Sequence, residues 1–217
     1  MRKLLFAWIA APLFLLSACN DYPDDIDLTT ENLVVSTQYD TKVDFKSFNT
    51  FAIRDSIMVL NKKDSTIYLK SAIAGKIINE ITSNLTALGY TKVDTSDSPN
   101  LAINVSVLTQ KFLTVSPYPG WYWDYFPGYL DWWGGYWNGY YPYYPYYPSY
   151  MVSSYETGTL YIDMLDMKNA STANQKIPIV WSASIRGLVG MGYSDEKILQ
   201  SVNQAFDQTI PFKSLSK

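Results

Sequence analysis

Apolar and polar residues alternate in parts of this chain, and that pattern predicts half-buried β-strands. The clearest alternating stretches are residues 100–113, 154–168 and 179–190. In the first of them, Leu101 and Ile103 fall on one face and Asn104 falls on the other. Two shorter β-rich runs, 32–40 and 43–53, precede them, and a turn is expected near Lys46–Asn49.

Two other stretches carry apolar residues at helical spacing. The first predicts a helix that Asp64 or Ser65 caps and that Gly89 ends. Its apolar stripe comprises Ile73, Ile77, Ile81, Leu85 and Leu88. Ser194 is expected to cap the second helix, and Pro211 is placed to stop it. The inner face predicted for this second helix comprises Ile198, Val202, Phe206 and Ile210.

The order of these elements predicts the fold class. Half-buried strands with two one-sided helices fit an α+β, two-layer sandwich, in which one mainly antiparallel sheet carries both helices on one face. We therefore expect a single α+β domain over residues 33–217. A long aromatic insertion at about 115–152 separates two of its strands.

This insertion has an unusual composition. Residues 117–150 hold 18 aromatic residues, 6 prolines and 5 glycines, and only Asp124 and Asp131 are charged. Each ring can bury roughly 150–250 Å², whereas the largest apolar patch of a typical monomer covers only about 300–600 Å². Much of this segment must therefore be sheltered from water.

Three kinds of shelter fit the aromatic segment. The rings can fold over the open face of the sheet or on themselves, contact a protein or a membrane interface, or stack against a glycan. Polar groups for a glycan are few here, namely Asp124, Asp131 and Asn138. The candidate contact residues are Trp121, Trp123, Trp132, Trp133, Trp137, Tyr140, Tyr143 and Tyr146.

One part of the insertion, YYPYYPYYP at residues 140–148, repeats every three residues. In polyproline II, which also has three residues per turn, Pro142, Pro145 and Pro148 would share one edge. This pattern predicts a stiff rod lined by tyrosine pairs, and such a rod would lose little entropy on binding.

The start of the chain predicts where the protein is located in the cell. Arg2 and Lys3 precede an apolar run from Leu4 to Leu16, which is too short to span a bilayer. The run closes with LSAC, which is a bacterial lipobox pattern ending at Cys19. Residues 1–18 are thus predicted to be a lipoprotein signal peptide, and acylated Cys19 is predicted to anchor the mature chain to a membrane.

Residues 19–32 follow the anchor and form an acidic tether. Together with the lipobox they predict a lipid-anchored protein of the cell envelope. The expected location is the outer membrane, on its periplasmic or its surface face.

Composition excludes several function classes. The chain has no histidine and only one cysteine, so catalytic sites that use a histidine base, most zinc sites and internal disulfides are not expected. A net charge of −3 gives no basic footprint for nucleic acid. We predict no catalytic residue, no metal and no cofactor, and hence no enzyme.

Three acidic residues are candidates for a hydrolytic carboxylate pair. Asp163, Asp166 and Glu156 lie near a strand end, and paired carboxylates serve glycoside hydrolysis. Alternation places Asp163 on the polar face and Asp166 in the following turn. A solvated sheet edge is the interpretation that this arrangement favours.

Several of these segments resemble one family. They are YDTKVDFKSFNTFAI at 39–53, LGY at 88–90, SPNLAINV at 98–105, YETGTLYIDMLD at 155–166 and VW at 180–181. They are similar to the domain of unknown function 4136 family of bacterial envelope lipoproteins. Many members follow the late tryptophan with Arg-Gly, whereas Trp181 is followed here by Ser182 and Ala183. The resemblance implies an envelope location and an α+β fold, and it implies no activity.

The sequence therefore predicts a non-enzymatic contact or accessory module. Acylated Cys19 is expected to bind the membrane, and residues 117–150 are expected to bind an envelope protein or a glycan. The alternative is a carbohydrate-binding accessory lipoprotein.

Overall fold

The computed structural model describes residues 33–60, 67–108, 112–116, 140–145, 151–155, 158–171, 173–188, 193–213 and 215. All of them belong to one unit that spans residues 31–217. The predicted signal peptide, Cys19 and the tether lie outside the described residues, so these predictions remain predictions.

The described part of the chain contains eleven strands, three α-helices and one turn of 3-10 helix. The strands are β1 Val34–Tyr39, β2 Thr50–Ile53, β3 Ile57–Leu60, β4 Ile67–Leu69, β5 Thr91–Lys92, β6 Leu101–Leu108, β7 Phe112–Ser116, β8 Tyr141–Tyr143, β9 Met151–Tyr155, β10 Thr159–Asp166 and β11 Lys176–Arg186. The helices are α1 Ala72–Ala87, α2 Asp195–Asp207 and α3 Ile210–Lys213. The 3-10 turn, Phe45–Ser47, forms where a turn was predicted.

Nine of the strands form the main sheet, in the order β1-β11-β10-β6-β2-β5. Strand β3 runs beside β6 beyond the end of β2, and β4 pairs with β3. The three longest pairings, β1 with β11, β10 with β11 and β6 with β10, are antiparallel. Strands β2 and β3 run parallel to β6. The predicted mainly antiparallel sheet is confirmed.

Helices α1 and α2 pack together over one face of this sheet, as the fold class predicted. Their apolar residues share one core with the inward positions of the central strands. Those inward positions include Leu101, Ile103 and Val105 of β6, and Leu160, Ile162 and Met164 of β10. Alternation along β6 and β10 therefore predicted the core-facing residues correctly.

Helix α1 begins later than the sequence predicted. Its N-cap is Ser71, whose side chain accepts a hydrogen bond from the backbone N–H of Ala74, and not Asp64 or Ser65. Strand β4 lies between those two residues and the helix, which is why neither of them can cap it. The predicted end is confirmed, because Gly89 has φ +95° and its N–H donates to the Thr86 carbonyl.

Helix α2 has the predicted N-cap, Ser194, and an acidic first turn. Its predicted inner face is wrong at one position. The helix ends at Asp207, and Ile210 begins the short helix α3 with its side chain 67% exposed. Thr209 lies between the two helices. Its hydroxyl accepts a hydrogen bond from the Trp181 indole and donates one to the Ala205 carbonyl, and the helical period of α2 does not continue past it.

The aromatic insertion lies between strands, as predicted. Strand β7 follows β6, strand β9 precedes β10, and β7 and β9 pair with each other as a separate antiparallel ribbon. The last pair of this ribbon joins Ser116 to Met151. Residues 117–150 thus start and end at neighbouring positions, and residues 140–145 are the part of them that the structure describes.

Candidate functional site

The face of the sheet opposite the helices, which we call the distal face, has its own apolar cluster. It comprises Ala52, Met58, Leu60, Ala102, Leu108, Tyr161, Leu165, Met167, Ile177 and Ile179. Two tyrosines from the aromatic insertion, Tyr140 and Tyr144, pack against this cluster together with Ala170. We call residues 140–145 the strap. Because Tyr140 and Tyr144 pack on the cluster, the strap shelters part of the distal face. Of the three kinds of shelter predicted for the aromatic segment, this is the intramolecular one.

A row of polar side chains crosses the middle of the distal face. Asn104, Asp163 and Ser182 lie directly opposite one another on β6, β10 and β11. All three are buried, and Asp163 is 0% exposed. The prediction that Asp163 sits at a solvated edge is therefore wrong. Alternation placed its side chain on the correct face, but that face is covered.

The hydroxyl of Tyr144 donates a hydrogen bond to Oδ1 of Asp163 across 3.1 Å. A buried carboxyl group is costly unless its oxygens receive hydrogen bonds, so this contact stabilises both partners. It ties the insertion to the centre of the sheet by a directional bond in addition to apolar packing. The position of the strap is thus specified chemically.

The backbone of the strap is also held. Strand β8 runs parallel to the first residues of β11, with Pro142 opposite Ile177. Pro142 is buried whereas Pro145 is exposed, so the two prolines do not share one edge. The predicted polyproline II rod is therefore wrong for residues 141–143, because pairing with β11 selects an extended strand there. Proline is tolerated at such a sheet margin, where its missing N–H is not required.

Within the strap, Tyr143 points outward and is 38% exposed. The Lys176 ammonium lies 5.8 Å from the centre of its ring, which is a cation–π distance. Of the eight predicted contact residues, Tyr143 is thus an exposed ring, while Tyr140 is half-buried against the distal face. The remaining candidates, Trp121, Trp123, Trp132, Trp133, Trp137 and Tyr146, lie outside the described residues.

The acidic residues of β10 do not form a carboxylate pair. Asp163 lies opposite Asn104 on the distal face, whereas Asp166 lies opposite Leu101, which belongs to the helix-side core. Asp166 instead accepts hydrogen bonds from the backbone N–H and the side-chain amide of Asn169 at 2.9 and 2.7 Å. Asp166 is the last residue of β10 and is buried, so its predicted place in a solvated turn is wrong. Glu156 lies outside the described residues.

Two kinds of feature are absent from the described residues. None of the helices in this part of the chain is long and apolar enough to cross a membrane. The same residues contain no cluster of three or more histidine, cysteine, aspartate or glutamate side chains that could hold a metal ion.

Neither Tyr144 nor the polar row was predicted from the sequence. Tyr144 looks like any other tyrosine of the repeat, and only its position above Asp163 distinguishes it. The polar row did leave a signal, because Asn104, Asp163 and Ser182 each interrupt an apolar strand on its outward side. The three strands align these residues once their register is known.

The described residues thus define an α+β domain whose distal face is partly covered by an aromatic strap. The family model of DUF4136, a domain of unknown function, matches residues 35–209. The chain therefore belongs to the DUF4136 family, and the predicted resemblance is confirmed.

The chain is also similar to solved structures. The chain is similar to a DUF4136 family protein from Bacteroides thetaiotaomicron, with 28% identity, a TM-score of 0.66, and coverage of 83% of this chain and 97% of that one. It is more distantly similar to the PelC dodecamer from Paraburkholderia phytofirmans, with 11% identity, a TM-score of 0.37, and coverage of 82% and 95%. Among curated proteins, none matches this chain.

Proposed function

We propose that this member of the DUF4136 family is a lipid-anchored protein of the bacterial cell envelope, held in the outer membrane through acylated Cys19. It has no catalytic role, and it makes contacts through its aromatic insertion. The anchor is supported by the basic, apolar and LSAC segments that precede the domain. The acidic tether of residues 19–32 separates the anchor from β1.

The contact role is supported by the difference between two neighbouring tyrosines of the strap. Tyr144 is fixed to Asp163 while its neighbour Tyr143 is exposed. An exposed ring on a fixed backbone loses little conformational entropy when a partner covers it. Tyrosine is also among the residues enriched at protein interfaces. Tyr144 thus holds the backbone of the strap in place, and Tyr143 is available to contact a partner.

The anchor is tested by metabolic palmitate labelling of the full chain. Cys19→Ala should abolish labelling and release the protein from the membrane fraction. Ser17→Ala, which keeps small residues before the cysteine, should preserve both. Labelling that survives in Cys19→Ala would contradict the anchor.

The contact role is tested by a photo-crosslinking amino acid placed at single positions in living cells. A probe at Tyr143 should give discrete adducts of higher mass, whereas a probe at exposed Thr86 on α1 should give none. A probe at Tyr140, which is half-buried against the distal face, is the matched control within the strap because it leaves the Tyr144–Asp163 bond intact, and it should give far fewer. Equal yields at Tyr143 and Thr86 would overturn the proposal.

A carbohydrate-binding accessory role is the second candidate, and the surroundings of Tyr143 favour it. The exposed ring lies beside the Lys176 ammonium, and the preceding turn exposes the amides of Asn174 and Gln175. Rings, amides and a cation are the groups that bind an acidic sugar. Binding on a glycan array should then be lost in Tyr143→Ala and in the Trp132→Ala, Trp133→Ala double variant. Absence of binding by the unaltered chain would exclude this role.

A further inference from the structure

The two edges of the main sheet differ in how they are protected. At one edge, β5 has two residues and includes Lys92, and β4 has three residues and is followed by Lys70. Short edge strands with lysines resist pairing with other chains. At the other edge, β1 is six residues long, keeps a continuous register with β11, and contains no charged residue, proline or glycine. The β1 edge lacks these protective features.

The backbone groups that β1 turns outward can be identified from its register. The N–H of Asp40 donates to the Val180 carbonyl at 2.9 Å, so even-numbered residues direct their backbone groups towards β11. Val35, Thr37 and Tyr39 therefore direct their N–H and C=O groups away from the sheet. Within the described part of the chain, no strand pairs with this outer side.

One exposed aliphatic side chain lies on this edge strand, and the end of α2 reaches the strand from the helix side. Val34, at the start of β1 on the distal face, is 50% exposed. On the helix side, the Gln208 side chain donates to the Thr37 hydroxyl at 3.1 Å. This contact brings the end of α2 to β1, two residues before Ile210, which is 67% exposed.

We propose that the β1 edge pairs with the β1 edge of a second copy of this chain, antiparallel about a twofold axis at Thr37. In this register Thr37 lies opposite Thr37 of the second copy, and Val35 lies opposite Tyr39. These opposed pairs exchange both backbone hydrogen bonds, so every outward group of the three residues is satisfied. The two sheets become one continuous sheet.

Side-chain chemistry favours a second copy as the occupant of this edge. Threonine with threonine and a β-branched residue with an aromatic one are favourable cross-strand pairs. On the distal face, Ser36 lies opposite Gln38, and both are exposed polar residues. No like charges face each other, because β1 contains no charged residue. We expect the exposed Ile210 side chain, two residues after the Gln208 contact with Thr37, to lie next to the shared seam.

The predicted anchor, which is part of the proposed function, adds to this pairing. Residues 19–32 lead directly into β1 and reach at most roughly 50 Å when fully extended. Copies attached to one membrane face are therefore confined near each other with their β1 strands close to the surface. This raises their effective concentration for pairing. The strand complementarity itself does not depend on the anchor.

Light scattering of the purified full chain in detergent tests the pairing directly. The unaltered chain should have the mass of a dimer, and Thr37→Pro should have the mass of a monomer with an unchanged circular dichroism spectrum. Proline at this position removes an outward N–H and leaves the β1–β11 hydrogen bonds intact. Thr37→Val is the matched control, because it loses the contact with Gln208 but keeps the N–H, and it should remain dimeric.

Two further variants test the seam and the register. Ile210→Lys should raise the dimer dissociation constant about tenfold, as loss of a buried aliphatic contact implies. Thr37→Cys should give a disulfide-linked dimer on mild oxidation, whereas Thr86→Cys on the exposed side of α1 should not. A monomeric unaltered chain would overturn the proposal, as would a dimer that persists in both Thr37→Pro and Ile210→Lys. Because these measurements do not involve Cys19 acylation, failure of the anchor is detected separately.

Discussion

The phenol of Tyr144 donates a hydrogen bond to the fully buried carboxyl group of Asp163, and this bond joins two parts of the chain with different roles. Asp163 belongs to a central strand of the sheet, and Tyr144 belongs to the aromatic insertion. The bond explains how part of the insertion is held on the distal face. It also explains how an acidic residue is accommodated inside that face.

Tyr144→Phe removes this bond and keeps the ring. We expect the free energy of unfolding to fall by about 1–3 kcal/mol, because a buried carboxyl group loses a hydrogen-bond donor. Urea denaturation of the full chain in detergent measures the change. Tyr143→Phe, one residue away and exposed, should change the stability by less than about 0.5 kcal/mol. Equal effects of the two substitutions would show that the strap is not fixed through Tyr144.

Thr209→Val tests a second buried bond, which joins α2 and α3 to the sheet. The indole N–H of Trp181 donates to the Thr209 hydroxyl at 2.9 Å, and both residues are fully buried. Valine keeps the shape of threonine but offers no acceptor, so we expect a loss of about 1–3 kcal/mol in unfolding free energy. Thr86→Val, on the exposed side of α1, is the control and should have little effect. A loss at Thr86 as large as that at Thr209 would contradict the assignment.

Two glycines of the α1 region should respond oppositely to alanine. Gly75 lies inside the helix, and an added Cβ meets no atom within 4 Å. Gly75→Ala should therefore raise the free energy of unfolding by about 0.5–1 kcal/mol. Gly89 has φ +95°, so Gly89→Ala should lower it by about 1–2 kcal/mol. Thermal unfolding followed by circular dichroism measures both changes, and a stabilising effect at Gly89 would contradict the described end of α1.

Stability should depend on pH in the alkaline range through Tyr90. Burial raises the pKa of this phenol above its ordinary value of 10.0, and the Asp44 carboxylate raises it further. Above pH 10 the unfolded chain releases a proton that the folded chain keeps, so the contribution of Tyr90 is complete below pH 10 and is lost as the pH rises towards the folded pKa. The slope should approach about 1.4 kcal/mol per pH unit.

Tyr90→Phe isolates this effect. The substitution costs stability at pH 7, because the hydroxyl donates to the Phe45 carbonyl at 2.9 Å. It should nevertheless flatten the decline in the urea midpoint between pH 10 and pH 11.5. If the decline in the variant is as steep as in the unaltered chain, Tyr90 is not its source.

The sequence predicted elements that carry a strong local pattern. The alternation around Ile103 and Ile162 and the helical stripe through Ile81 placed these residues in the core correctly. Other elements depend on distant partners and have no such signal. Strand β3 is only four residues long, and its partner β6 is distant in the sequence. The residues near Met58 therefore carry no local pattern that specifies this pairing.

The candidate site was harder to predict for a related reason. Alternation identifies the face on which Asp163 lies, but it does not tell whether another part of the chain covers that face. The cover comes from Tyr144, which is separated from Asp163 in the sequence by strand β9 and by the turn before β10. The three-residue repeat around Pro142 suggested a free rod, because a sequence repeat does not reveal that β11 offers a backbone partner.

Residues 140–145 of the aromatic insertion are docked on the domain. Hydrogen–deuterium exchange of the full chain, read on a peptide that covers this segment, tests the claim most directly. We expect the amides of the strap to exchange much more slowly than that of Gln175 in the exposed turn before β11, and we expect Tyr144→Phe to accelerate their exchange. Exchange of the strap as fast as that of the turn in the unaltered chain would contradict it.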